Sequence, residues 1–130
     1  MHAHNIDSLI PRLPLLALEN HPSRSEMESA FFNLGSFDDG SAFLGKWSGE
    51  TPWELHPEGD EFLLILEGNL LVTLLTENYT KETLLDKGTT CIIPRAVWHR
   101  TKADYPVTLL AILGSQHGAV SFASDPRVFG

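Results

Sequence analysis

The stretch Trp53–Gly68, WELHPEGDEFLLILEG, decides how the rest of the chain is read. Glu54, His56, Asp60 and Glu61 crowd into eight positions, and an apolar run closed by a glycine follows at once. Glu54 and His56 are two apart, so on a β-strand both project to one face while Trp53 and Leu55 project to the other. PEGD carries the residue types of a tight reversal, in which Asp60 reads as a turn residue, and Glu61 then opens a second strand. Strand, turn and strand therefore aim three potential ligands at one point inside a sheet.

A further donor comes from GTTCIIPRAVWHRTKA, where His99 follows a proline bend at the start of another strand. Two imidazoles with one or two carboxylates form a mixed nitrogen and oxygen set suited to Fe, Mn, Ni, Co or Zn and unsuited to Ca or Mg. His56, Glu61 and His99 as a set of three leave coordination positions open; Glu54 as a fourth donor closes one. Glu54 has alternatives: it can orient a ligating imidazole, or pair with Arg95 or Arg100 at the rim. The set can also be a polar network without metal, although burying a carboxylate beside two imidazoles is unfavourable unless every group is hydrogen-bonded. Arg95 and Arg100 are candidates for binding an anionic substrate, or a solvated pair on an acidic surface. Trp53 and Trp98 fit core packing or a dimer interface, with substrate stacking as the other use.

From Ser41 onward short apolar segments alternate with turn residues: SAFLGKWSG, PWELHP, EFLLILEG, NLLVTLLTE, KETLLDKG, TTCIIP, AVWHRTK and PVTLLAILG. No helical period intervenes, which predicts an all-β antiparallel sandwich or barrel. Glu67, Gly68 and Asn69 form a hairpin corner, and Gly88 marks another turn. Before the barrel, NIDSLIPRL predicts a single helical turn broken by prolines, and PLLALENHPS an apolar arm that covers its own body or a partner's. SRSEMESAFFNLGSF predicts a helix capped by Ser25 and Glu28, with Met27, Ala30, Phe31 and Leu34 on one face and Gly35 as its stop. The expected division is an arm and short helix over 1–40, a barrel over 41–113 and a tail over 114–130 wrapping the surface, all one domain.

The chain has 130 residues, 9 Lys+Arg against 17 Asp+Glu and a net charge of −8. That charge repels phosphate backbones and anionic membrane surfaces, so no nucleic-acid or membrane partner is expected. No segment approaches the ~20 apolar residues that span a bilayer. The N-terminus lacks a secretory pattern and Cys91 is the single cysteine, which together predict a cytoplasmic protein. Cys91 reads as a small strand hydrophobe, His2 and His4 as parts of a frayed terminus, and His117 as an exposed tail residue.

With these residues in place the sequence resembles the cupins. Their first motif, G-x5-H-x-H-x(3,4)-E-x6-G, is matched by His56, Glu61 and Gly68, with the leading glycine absent or displaced. Their second, G-x5-P-x-G-x2-H-x3-N, is matched by Gly88, Pro94 and His99. The resemblance covers roughly Ser41 to Leu113. It departs at Glu54, where the family has the first His, at Ala96 in place of Gly, and at Ala103 in place of Asn. Glu54 is the departure that bears on chemistry, because an anion replaces a neutral donor and makes a bound metal less electrophilic. The resemblance implies a small antiparallel β-barrel, the double-stranded β-helix jelly roll, with a short helical N-terminal segment. It implies a homodimer with one divalent metal (Fe, Mn, Ni or Zn) inside each barrel. A small polar metabolite is the expected substrate, with oxygenase or isomerase chemistry. The alternative is a non-catalytic barrel that binds or senses a small ligand.

Overall fold

A computed structural model describes residues 1–127. Ten strands dominate it: β1 (Leu16–Ala17), β2 (Phe32–Phe37), β3 (Gly40–Glu50), β4 (Trp53–Leu55), β5 (Glu61–Glu67), β6 (Asn69–Leu75), β7 (Thr80–Asp86), β8 (Thr90–Ile93), β9 (Trp98–Leu113) and β10 (Ala119–Ser121). Two short helices, α1 (Ile6–Leu9) and α2 (Arg24–Ala30), precede the main body. No helix among the described residues is long and apolar enough to cross a membrane. The strands form the antiparallel jelly roll that the cupin resemblance implies, with one short parallel pair where the arm strand β1 lies along β3 at Trp47 and Ser48.

The organising element is β9, 16 residues long. Its C-terminal half pairs with β3 on one edge and β5 on the other, while its N-terminal half pairs with β3, β4 and β6. The sequence reading divided this segment at Pro106; the structure keeps it as one strand. Pro106 falls where the β3 pairing shifts register, between the Trp47–Val107 and Gly49–Ala103 partners. A residue without an N–H is tolerated there because the ladder is already interrupted. The core between the two walls includes Leu44, Leu63, Ile65, Leu70, Val107 and Leu109, each at most 2% exposed.

The N-terminal segment departs from expectation in two ways. Helix α2 starts two residues earlier than predicted, because Ser-x-x-Glu occurs twice in SRSEMES. The pair used is Ser23 and Glu26, whose side chains and backbone N–H groups exchange hydrogen bonds of 3.1 and 3.2 Å. Glu28 is then free to pair with Arg24. The helix also ends at Ala30 rather than at Gly35, and Phe32–Phe37 becomes a strand. Phe31 turns its ring edge-on to Phe43 and Trp47, at centroid distances of 5.2 and 6.0 Å, and this packing outweighs continuation of the helix. The arm covers its own subunit, with Leu13 and Leu16 buried. The tail, expected to wrap the surface, adds β10 to the free edge of β4.

Candidate metal centre

Glu54 sits mid-β4, directly across from His99 on β9, so the cross-strand register alone brings these two side chains together. His56 follows β4 by one residue, and Glu61 opens β5 after the turn. That turn is tied to the Pro94–Ala96 bend beside His99. The carboxylate of Asp60 accepts hydrogen bonds from the Arg95 backbone N–H (2.9 Å) and Nε (3.2 Å), and Ala96 N–H donates to the His56 carbonyl (2.9 Å). Two chain-distant bends are thereby held together, and the four candidate donors meet between them.

The meeting is close. His99 Nε2 lies 3.2 Å from Glu61 Oε2 and 3.8 Å from Glu54 Oε2; His56 Nε2 lies 3.5 and 3.8 Å from the same two atoms. One donor atom from each of the four residues falls within 4.8 Å of the other three. Donors bound at about 2.0–2.2 Å to one first-row cation sit roughly 3–4 Å apart, so the cluster needs little movement to close on an ion.

The protonation pattern points the same way. His99 Nδ1 is 3.0 Å from the Val97 carbonyl, which can only accept, so Nδ1 carries the proton and Nε2 turns a lone pair toward Glu61. His56 Nε2, His99 Nε2 and Glu61 Oε2 are buried without a hydrogen-bond partner among the described residues. Buried polar atoms without partners are rare, and three converging on one point fit a cation as their common partner.

Without an ion the groups contend. Burial, then the charge of Glu61, push the Glu54 carboxyl up to about 7, with His99 partly offsetting them. His56 is lowered, by burial first, against the pull of Glu61 and a backbone hydrogen bond to His117. Burial also works against His99⁺, but the nearby Glu61 carboxylate outweighs it and His99 is raised.

The rim arginines have other partners. Arg95 pairs with Asp60, and Arg100 lies 3.8 Å from Glu50 with its guanidinium 4.5 Å over the Trp53 ring. Glu54 therefore faces the imidazoles rather than either arginine. Arg100 lines the cavity above the cluster; Arg95 is not among the lining residues. Burial, then Glu61, push the Cys91 thiol up, which keeps it protonated beside the core.

The sequence reading missed the tail's part in the site. Gly118 packs on the His56 ring so closely that a Cβ there would lie 3.0 Å from Nδ1. A glycine in a weakly patterned tail carried no signal of this.

Residues 46–113, just over half the chain, match the family described as cupin domain. The chain is a cupin. Among curated relatives this cupin is 29% identical over 113 residues to the uncharacterized protein YdbB of Bacillus subtilis (strain 168), covering 86% of this chain and 94% of that one. It spans about two-fifths of the length of the rice germin-like proteins it also matches. A cupin-2 domain protein of Shewanella frigidimarina superposes with a TM-score of 0.55 at 21% identity, over 73% of this chain and 95% of that one. Hydroquinone 1,2-dioxygenase of Sphingomonas sp. TTNP3 does so with a TM-score of 0.56 at 16% identity, over 65% of each chain. These likenesses establish the fold.

Proposed function

We propose that this cupin binds one divalent first-row metal through His56, Glu61 and His99, with Glu54 as fourth donor, and acts as an oxygenase or isomerase on a small oxygen-bearing substrate. The observation that carries the reading is the set of three buried donor atoms, His56 Nε2, His99 Nε2 and Glu61 Oε2, without partners among the described residues. A mixed N/O set selects Fe, Mn, Ni or Zn, and four protein donors leave at most two positions of an octahedron for substrate or dioxygen. A metal there supplies Lewis-acid polarisation of a bound oxygen and, if redox-active, one-electron chemistry.

The protein's own residues do the rest. The Val97 carbonyl fixes the ring orientation of His99, and Gly118 packs against the His56 ring. Glu54, whose carboxyl burial and then the charge of Glu61 push up to about 7 in the metal-free protein, is a group able to hold a proton within the cavity. Arg100 on the cavity wall meets a negatively charged part of the substrate. Oxygenase chemistry is preferred over isomerase chemistry because a hydroquinone dioxygenase shares the fold. We take the assembly to be a cytoplasmic homodimer, supported by the lone thiol and by exposed Phe37, Ile92, Val120 and Phe122.

Elemental mass spectrometry of tag-free protein, beside a His56→Ala, His99→Ala variant, tests the site. Near-stoichiometric metal lost in the variant is the expected result. Wild-type protein that holds no metal, and takes up none from Fe(II), Mn, Ni or Zn, overturns the metalloenzyme and leaves a ligand-binding barrel.

A further inference from the structure

The cavity around the four donors is far larger than a two- or three-carbon acid needs. It measures about 780 Å³, room for on the order of two dozen water molecules at the liquid's ~30 Å³ each. Leu16, Leu18, Met27, Phe31, Phe43 and Trp47 form much of the remaining wall. Leu18, Met27, Phe31 and Phe43 pack on the core yet stay only partly buried, so apolar surface is left for an occupant. The wall is preformed. Phe31 is braced edge-on by Phe43 and Trp47, and Gly45 yields space that a Cβ would take from the Phe31 ring.

The origin of these residues matters. All four donors lie within 46–113, the segment shared with the cupin family, whereas Leu16, Leu18, Met27, Phe31 and Phe43 lie before it. The shared barrel provides the reactive end of the cavity and part of its apolar wall, at Trp47, Leu63 and Leu70, and the N-terminal segment of this chain provides much of the rest.

We propose that the N-terminal segment makes this cupin a receptor for an amphiphile, with an oxygen-donor head at the Glu54–His56–Glu61–His99 cluster and an alkyl or aryl body against Leu16, Leu18, Met27, Phe31 and Phe43. The head group rests on the metal reading above; the apolar body does not. A small, wholly polar metabolite leaves this wall wetted, and the hydrophobic effect favours a ligand that covers it.

The test is isothermal titration calorimetry of Zn-loaded protein with acetohydroxamate, butanohydroxamate and octanohydroxamate, which share one chelating head and differ only in body. Affinity should rise with chain length, up to about fourfold per buried methylene and by at least a hundredfold across the series. Met27→Trp, which fills the apolar end and leaves the donors untouched, should keep acetohydroxamate binding and weaken octanohydroxamate about tenfold or more. Leu18→Phe stands in if that variant does not fold. Equal affinity along the series overturns the proposal, as does a chain-length gain that both variants retain. If the protein holds no metal, thermal shifts of metal-free protein with 1-octanol and 1-propanol decide the matter. A larger shift with octanol, lost in Met27→Trp, keeps the apolar chamber while the metal reading falls; equal shifts sink the chamber.

Discussion

Gly118 acts through the side chain it lacks. A methyl group there would sit 3.0 Å from His56 Nδ1 and 3.3 Å from Cε1, so the ring must yield by a few tenths of an ångström. Disturbing a partner that orients a metal ligand typically weakens binding 10–100-fold, and a shift this small belongs at the low end. Gly118→Ala should therefore lower metal affinity about tenfold in a chelator competition, with little change in melting of the metal-free protein. Glu54 gives a second residue-scale prediction. Its carboxyl titrates near 7 in the folded metal-free protein against 4.5 for an ordinary glutamate. Between those values the folded state holds more protons than the unfolded one, so stability present at low pH is lost as pH rises from about 4.5 to about 7. His99, also raised, works in the same sense and His56 in the opposite one. Melting of metal-free wild type should fall more steeply across this window than that of Glu54→Gln. Ala96 stands at φ +61°, where the cupin motif has glycine. Relief of about 1–2 kcal/mol of left-handed strain exceeds glycine's conformational penalty of about 0.5–1 kcal/mol. Ala96→Gly should thus stabilise by up to about 1 kcal/mol in urea unfolding.

Among the elements, the corner between β5 and β6 shows how tightly the strands are fitted. Gly68 has φ +78°, and a Cβ there would lie 2.7 Å from the Pro106 carbonyl on β9. Gly68→Ala meets both backbone strain and overlap, and should cost about 1–3 kcal/mol, read as a fall in the denaturation midpoint. This corner was legible in LEGN, as were the strands around it, because alternation and turn residues are local signals. The four-residue cluster was legible for the same reason: three candidate donors lie within eight residues, and His99 follows a motif spacing. What sequence could not give was set by partners distant along the chain. Nothing local chooses Ser23 over Ser25 as the helix cap, or ends α2 at Ala30; the packing of Phe31 on Phe43 and Trp47 does. The pairing of β10 with β4 and the rest of Gly118 on His56 are likewise tertiary facts. The apolar arm announced that it covers something, but not that it walls the cavity around the four candidate donors.

For the molecule as a whole, binding of a metal at the proposed site would be one equilibrium with folding, since the four candidate donors converge only in the folded chain. Free metal at a hundred times its dissociation constant adds about 2.7 kcal/mol. For a chain of this size that corresponds to a rise on the order of 10 °C in Tm, measurable by differential scanning calorimetry and abolished in the His56→Ala, His99→Ala protein. The placement of β9 carries a consequence for synthesis. Strands β3, β4, β5 and β6 all take β9 as a neighbour, and it spans Trp98–Leu113 near the end of the chain. A nascent chain that has emerged only as far as Ile93 exposes four strand edges awaiting one template, a state prone to association with other chains. Pairings this remote in sequence also make for slow folding. Everything from β3 to β8 therefore stays open to wrong partners until the last long strand has emerged.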